Sequence, residues 1–222
     1  ADVAFNINGK DYIRKTNNEG IASMNIYLVA WTYNVEVKYN ESSVNVTVTV
    51  KSTIVADDLV KMYQDPTRFY AKFLDSTGKA LANTQVRFNI NGVFYTKTTN
   101  NDGVADLGIM LRPGTYILTA YNPANGEERG ITITVKSLIV QSDLTKYYLN
   151  ASRFQETIYN KDGSLAVTKE VTFNIHGVFY HKPTDSNGGF MIENTVDVKG
   201  NFFVYRQASI LIINGCLESG SI

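Results

Sequence analysis

The chain is poor in the residues that usually carry chemistry. Its one cysteine, Cys216, can close no internal disulfide, so stability has to come from a packed core. The missing pairing does not exclude a cell-surface location. The two histidines, His176 and His181, stand in "NIHGVFYHK". His176 replaces a turn asparagine, where histidine tolerates positive φ, and His181 points to the opposite face, so the pair cannot grip one ion. With so little His and Cys, no Ser/His/Asp or Cys/His set can be built, which argues against an enzyme. Charge of one sign is lacking too: 21 Lys+Arg balance 21 Asp+Glu. No basic face therefore points to nucleic acid or an anionic membrane. No apolar run approaches the span a bilayer requires, and "ADVAFNING" has neither the charged n-region nor the apolar h-region of a signal peptide. Any targeting or anchoring segment is expected outside this stretch.

What is present is a repeat. Hydrophobic residues make up 44% of the 222 residues and charged residues 19%, a composition that folds rather than stays disordered. "VTVTVKSTIVADDL" at 46–59 returns as "ITITVKSLIVQSDL" at 131–144, 85 positions on. "TNNEGIASMNI" at 16–26 returns as "TNNDGVADLGI" at 99–109, 83 positions on, and more loosely as "TDSNGGFMIEN" at 184–194. The change of offset places a two-residue insertion between Tyr39 and Val46 and the matching "NPANGEERG", where a surface hairpin loop tolerates it. Three units follow: a partial one (1–50) lacking its opening strands, a complete one (51–135) and a diverged one (136–222). The last departs after Tyr205 into a polar tail that reads as a terminal cap or a recombined end.

Within a unit the hydrophobic period is two, the signature of half-buried strands. In "VRFNINGVFYTK" the Asn91-Gly92 pair marks a type I′ hairpin turn. Counting outward pairs Ile90 with Val93, Phe88 with Tyr95 and Val86 with Lys97 on the expected core face. Asn89 with Phe94 and Arg87 with Thr96 share the other, leaving Phe94 as an aromatic on a mostly polar side. About seven short strands per unit with regular turn signals predict an all-β chain of tandem immunoglobulin-like antiparallel β-sandwiches. "DDLVKMY" reads as a turn of helix at most. With no Gly/Ser or Pro-rich linker between "VTVTV" and "KSTIV", the units are expected to stack as a semi-rigid rod.

The order and spacing of "D-x-x-G-K-x-L-A" from Asp75, "T-x-x-x-G-V-A" from Thr99 and "P-G-T-Y" from Pro113 make the sequence similar to repeats of adhesin-like surface proteins of methanogenic archaea, which resemble the immunoglobulin-like domains of bacterial invasin and intimin. The likeness runs from Val3 to about Tyr205. It implies an extracellular, cell-surface, non-catalytic stalk that mediates cell adhesion, with a protein or glycan of another cell as partner. It carries no shared catalytic or ligand residues.

Candidate sites are few. The "NNDG" loop (100–103), "TDSNG" (184–188) and Asp57-Asp58 could offer oxygens to Ca²⁺, but Asn, Asp and Gly also make such turns unaided. Lys72 and Asn122 suggest an isopeptide cross-link; alternation turns Lys72 outward, where that chemistry fails. Asn40, Asn45 and Asn150 head N-x-S/T sequons, candidates for glycosylation. Trp31, expected on a loop, and the outward aromatics Phe94 and Phe179 are candidate partner contacts. Two other readings stand beside the adhesin: a carbohydrate-binding or accessory module of an extracellular enzyme, and a filament subunit that donates strands, self-associating through the partial first unit.

Overall fold

The structure is a computed structural model that describes residues 1–140, 143–145, 147, 153–175, 177–192, 212–213 and 216–217. It is all-β, with its strands gathered into immunoglobulin-like sheets. In the first repeat, β1 (Asp2–Ile7), β2 (Lys10–Lys15), β3 (Trp31–Tyr39) and β4 (Ser42–Val50) form one antiparallel sheet in the order β2-β1-β3-β4. Ile7, Tyr33 and Val35 are buried on one of its faces, with Phe5, Val37, Val48 and Val50 beside them.

The middle repeat runs through β5 (Ile54–Val55), β6 (Leu59–Met62), β7 (Arg68–Phe73), β8 (Gln85–Ile90), β9 (Val93–Thr98), β10 (Val104–Gly108), β11 (Gly114–Tyr121) and β12 (Glu128–Lys136). These make a three-stranded sheet, β10-β7-β5, and a five-stranded sheet, β6-β12-β11-β8-β9. Alternation drives both: on β7, Phe69, Ala71 and Phe73 are buried and Arg68, Tyr70 and Lys72 exposed. The sheets meet where the rings of Phe73 and Phe88 lie 5.9 Å apart in a tilted contact. In the third repeat, β13 (Ile139–Val140), β14 (Phe154–Ile158) and β17 (Gly189–Ile192) form one sheet, and β15 (Glu170–Ile175) pairs with β16 (Val178–Pro183). Two short strands, β18 (Ile212–Ile213) and β19 (Cys216–Leu217), pair near the end. By packing, the chain divides into two compact units, residues 1–57, 70–106 and 118–131 in one, and 58–69, 107–117 and 132–222 in the other.

The β8–β9 hairpin has the register counted from its turn: Ile90 faces Val93, Phe88 faces Tyr95 and Val86 faces Lys97, with Asn91 and Gly92 at φ 53° and 77°. Only the β8 half of that face is core, however. Phe88 is fully buried while Val93 is 50% exposed, because β9 is the edge strand of its sheet. The segment "DDLVKMY" is a strand, not a helical turn: β6 lies parallel to β12, Leu59 opposite Ile133 and Met62 opposite Lys136. Its period-two signal was hidden because a lysine, Lys61, occupies the inward position between Leu59 and Tyr63.

One glycine position recurs with a steric purpose. Gly103, at φ +75°, lies so close to β7 that a Cβ would meet the Phe73 carbonyl oxygen at 2.6 Å; at Gly188, φ +65°, it would meet the Ile158 carbonyl oxygen at 2.7 Å. Gly92 has a similar φ and nothing within 4 Å. We therefore expect Gly92→Ala to cost only the left-handed strain, about 1–2 kcal/mol. Gly103→Ala is expected to cost clearly more in urea unfolding, because the backbone of β7 has to move as well.

Candidate functional site

The most connected polar cluster of the described residues joins the start of the middle repeat to its last hairpin loop. Residues 122–127 connect β11 to β12, whereas Asn40 and Glu41 alone connect β3 to β4, so the insertion inferred from the repeat offset falls in this loop. The extra length is used. Glu127 reaches back to the opening segment, accepting from the Ser52 hydroxyl at 2.6 Å, the Thr53 hydroxyl at 2.5 Å and the Thr53 amide at 2.7 Å. Asn122, 1% exposed, donates from its amide nitrogen to Thr53 Oγ1 at 2.8 Å and to the Leu74 carbonyl at 2.8 Å. Asn125 donates to the same Thr53 oxygen at 2.9 Å, and the Arg129 guanidinium donates to the Ile54 carbonyl at 2.5 Å. Three side chains from one loop, Asn122, Asn125 and Glu127, thus fasten the opening segment of the sandwich to its last hairpin, and every bond closes a separation of at least 48 residues.

Burial alone would raise the Glu127 carboxyl, but the hydroxyls of Ser52 and Thr53, the Thr53 amide and the charge of Arg129 outweigh it and hold the group below the usual carboxylate range. A carboxylate so satisfied is a clamp rather than a base. The isopeptide idea does not hold at its lysine: Lys72 is exposed on β7. Asn122 is buried, and its amide is engaged by Thr53 and Leu74.

Among the described residues the buried lysine is Lys61, 6% exposed. Its amine donates to the Asp65, Thr67 and Ile109 carbonyls, the last two at 3.0 Å each, a cage of backbone oxygens that satisfies all three N–H bonds. Burial holds its pKa below the usual lysine range, against the attraction of Asp65. Lys61 was not singled out from the sequence, since a lysine in a polar run ordinarily marks a solvated face.

A second cluster lies on the outward face of the five-stranded sheet. The pairing of β8 with β11 sets Arg87 opposite Tyr121, and that of β8 with β9 sets Asn89 opposite Phe94. The Arg87 guanidinium sits 4.6 Å from the centre of the Phe94 ring and 5.4 Å from that of Tyr121, and the two rings are 5.9 Å apart. Phe94 stays 54% exposed. The local hairpin pattern placed Phe94 and Arg87 on one outward face; Tyr121 joins them only through the order of strands. Phe179, equally outward, faces Asn174, and the place of Arg87 is taken by Thr172, whose hydroxyl bonds His181 Nδ1 at 2.9 Å. Glu170 lies 3.3 Å from the same nitrogen. Trp31 is 71% exposed and is the first residue of β3, opposite Val50, rather than a loop residue.

The loops suggested for calcium are held by local hydrogen bonds. Asn100 Oδ1 accepts from the amides of Asp102 and Val104, and Asp185 Oδ1 from those of Asn187 and Gly189, so the loops proposed for calcium are turns closed by their own side chains. Asp58 accepts from the Thr132 amide. Among the described residues no group of three His, Cys, Asp or Glu side chains could hold a metal. Asn40, at φ 51° in the β3–β4 turn, and Asn45 on β4 are both exposed; Asn150 and His176 lie outside the described residues.

No family model matches the chain, and no curated protein matches it. Among solved structures it is similar to SGBP-B of the Bacteroides ovatus mixed-linkage glucan utilization locus, solved with a mixed-linkage heptasaccharide, at 10% identity and TM-score 0.29 over 87% of this chain and 60% of that one. It is also similar to a Ca²⁺-stabilised adhesin with which an Antarctic bacterium binds ice, at 17% identity and TM-score 0.26 over 86% of this chain and 55% of that one. Domains 1–6 of the surface layer protein SbsC give 15% identity and TM-score 0.26 over 95% of this chain and 32% of that one. This chain therefore spans less than two thirds of the length of each. At such scores the likeness decides neither ligand nor partner.

Two expectations follow for the clamp and the buried lysine. Glu127→Gln should cost about 1–3 kcal/mol, since its amide group cannot accept from two hydroxyls and an N–H at once. Because the folded-state pKa of Glu127 is depressed, its contribution is present above the unfolded value of about 4.3 and is lost as pH falls through the folded value. Urea titrations of wild type and variant should therefore converge in acid. Lys61→Met should destabilise by about 1–3 kcal/mol, leaving carbonyls without donors. The lysine itself, depressed in the folded state, makes the wild type gain stability as pH rises from its folded pKa towards about 10.4, a slope the methionine variant should lack.

Proposed function

We propose that the chain is part of a non-catalytic, extracellular adhesin-like protein, its tandem immunoglobulin-like repeats forming a stalk at a cell surface and mediating cell adhesion. The observation that supports this best is the Glu127–Asn122 fastening of first strand to last hairpin. A module pulled through its ends is opened by detaching its first or last strand. Here a cluster of hydrogen bonds holds that seam where neither a disulfide nor an identified metal does so. The partner is a protein or a glycan on another cell, and the face built from Arg87, Phe94 and Tyr121 is the surface offered to it. Exposed aromatic rings held rigid by a guanidinium give contact area at small entropic cost. Asn40 and Asn45 are proposed glycan acceptors, and Trp31 and Phe179 secondary contacts.

The same aromatic face favours a second reading, a carbohydrate-binding module attached to an extracellular enzyme, since sugar rings stack on such platforms. One experiment separates the two. The chain and its Phe94→Ala, Tyr121→Ala double variant are applied to a glycan array and, labelled, to whole cells. The adhesin reading expects retention on cells, reduced at least about tenfold by the double substitution, which corresponds to about 1.4 kcal/mol. The module reading expects glycan signals on the array without retention on cells. Cell retention that is absent, or unchanged in the variant, removes this face from the adhesive function.

A further inference from the structure

Asparagine stands directly before glycine at Asn8-Gly9, Asn91-Gly92, Asn125-Gly126, Asn187-Gly188 and Asn214-Gly215. The last pair lies outside the described residues. In such a pair the side-chain amide carbon of asparagine is an electrophile, and the backbone nitrogen of glycine, with no Cβ to hinder it, is a nucleophile one residue away. Ring closure between them requires that the peptide plane joining the two residues turn over, that the asparagine side chain swing onto it, and that the glycine nitrogen leave any hydrogen bond it makes. All four described asparagines are exposed, so exposure does not separate them. The hydrogen bonds do.

Two pairs are held. The Gly126 amide donates to the Asn122 carbonyl at 2.9 Å, and Asn125 is bound at both ends of its side chain, Nδ2 donating to Thr53 Oγ1 at 2.9 Å and Oδ1 accepting from the Glu127 amide at 3.0 Å. The Gly188 amide donates to the Asp185 carbonyl at 3.1 Å and the Asn187 amide to Asp185 Oδ1 at 2.8 Å. Gly188 is also buried against the Ile158 carbonyl, which a Cβ would meet at 2.7 Å. The other two pairs are the tips of the β1–β2 and β8–β9 hairpins, Asn8 and Gly9 at φ 52° and 79°, Asn91 and Gly92 at 53° and 77°. Among the described residues no group accepts from the Gly9 or Gly92 amide and none bonds the side chain of Asn8 or Asn91. A Cβ on either glycine would meet nothing within 4 Å. The central peptide of these turns rotates without breaking a bond. In the third repeat the same tip carries His176, which offers no electrophile, and the Gly177 amide donates to Asn174 Oδ1 at 2.9 Å.

We propose that Asn8-Gly9 and Asn91-Gly92 are self-modifying sites, at which asparagine closes to a succinimide and reopens to isoaspartate and aspartate, while Asn125-Gly126 and Asn187-Gly188 persist in the folded chain. Hydroxide takes the proton of the Gly92 amide, and the nitrogen attacks the side-chain carbonyl carbon of Asn91. That N–C bond forms, the bond to the side-chain nitrogen breaks, and ammonia leaves with a proton drawn from water. Water then opens the ring. Cleavage of the new bond leaves aspartate on an unchanged backbone; cleavage of the original main-chain bond leaves isoaspartate, its backbone one methylene longer and its α-carboxylate free. Nothing is oxidised or reduced, and water is the sole co-reactant. At residue 91 the product is a lengthened turn and a new negative charge, close to Phe94, on a hairpin whose strands contain no Asp or Glu. The chemistry is independent of what the chain adheres to, so its failure would leave the adhesin reading as it stands.

The test incubates the full chain in mildly alkaline buffer, folded and in concentrated urea, and follows each pair over time by peptide mapping with a fragmentation that tells isoaspartate from aspartate. In urea the four described pairs are expected to convert at similar rates, because each presents the same dipeptide once the fold is gone. In the folded chain Asn8 and Asn91 should convert on the order of tenfold or more faster than Asn125 and Asn187, which have hydrogen bonds to break first. Gly92→Ala should slow conversion at residue 91 and leave Asn8 as the internal clock. Folded rates at Asn8 or Asn91 as low as those at Asn125 and Asn187, aspartate without isoaspartate, or undiminished conversion at residue 91 in the Gly92→Ala chain would each overturn it.

Discussion

The fold rests on a close crossing of backbones. For the two sheets of a repeat to share one core, strand β7 must run against the turn before β10 closely enough for the Phe73 amide to donate to the Gly103 carbonyl at 2.8 Å. Only a residue without a side chain permits that approach, and Ile158 with Gly188 repeats it at 2.8 Å. Around this crossing the other interactions fall into place. Phe73 is delivered to Phe88, and the Phe73 carbonyl turns to the Leu81 amide at 3.0 Å. Thr99 ties the end of that excursion to the start of β8. The third repeat varies its core while keeping this frame: Phe73 and Ala105 become Ile158 and Phe190, large and small exchanged across the same layer, a trade that close-packed interiors accept.

Much of this was legible in the residues. Period-two alternation, the Asn-Gly turn and the returning motifs gave the β class, the hairpin register of Phe88 with Tyr95, and the outward position of Lys72 and Phe94. Those features depend on neighbours within a dozen residues, where sequence patterns carry information. The Leu59–Met62 strand escaped because its inward residue is a lysine, whose burial depends on carbonyls supplied from as far away as Ile109. Tyr121 escaped for a related reason, since strand order is a property of the whole sheet, whereas Arg87 was already placed on the face of Phe94 by the hairpin register.

The clamp was half visible. The change of repeat offset marked its loop, and Asn122 drew notice for a covalent chemistry that its surroundings do not serve. What could not be read was the destination of Glu127, more than 70 positions back at Ser52 and Thr53. Long-range side-chain bonds of this kind leave no periodic trace; they are learned only from the closed structure.

The oxygen at the centre of the fastening is not present in every repeat. Where the middle repeat has Thr53, whose one oxygen meets Glu127, Asn122 and Asn125, the third has Leu138, a side chain with nothing to offer a carboxylate or an amide. A single position thus decides three bonds at once: in the middle repeat one hydroxyl gathers a carboxylate and two side-chain amides. Exchanging that one residue, as the third repeat does, removes the point where the three would meet.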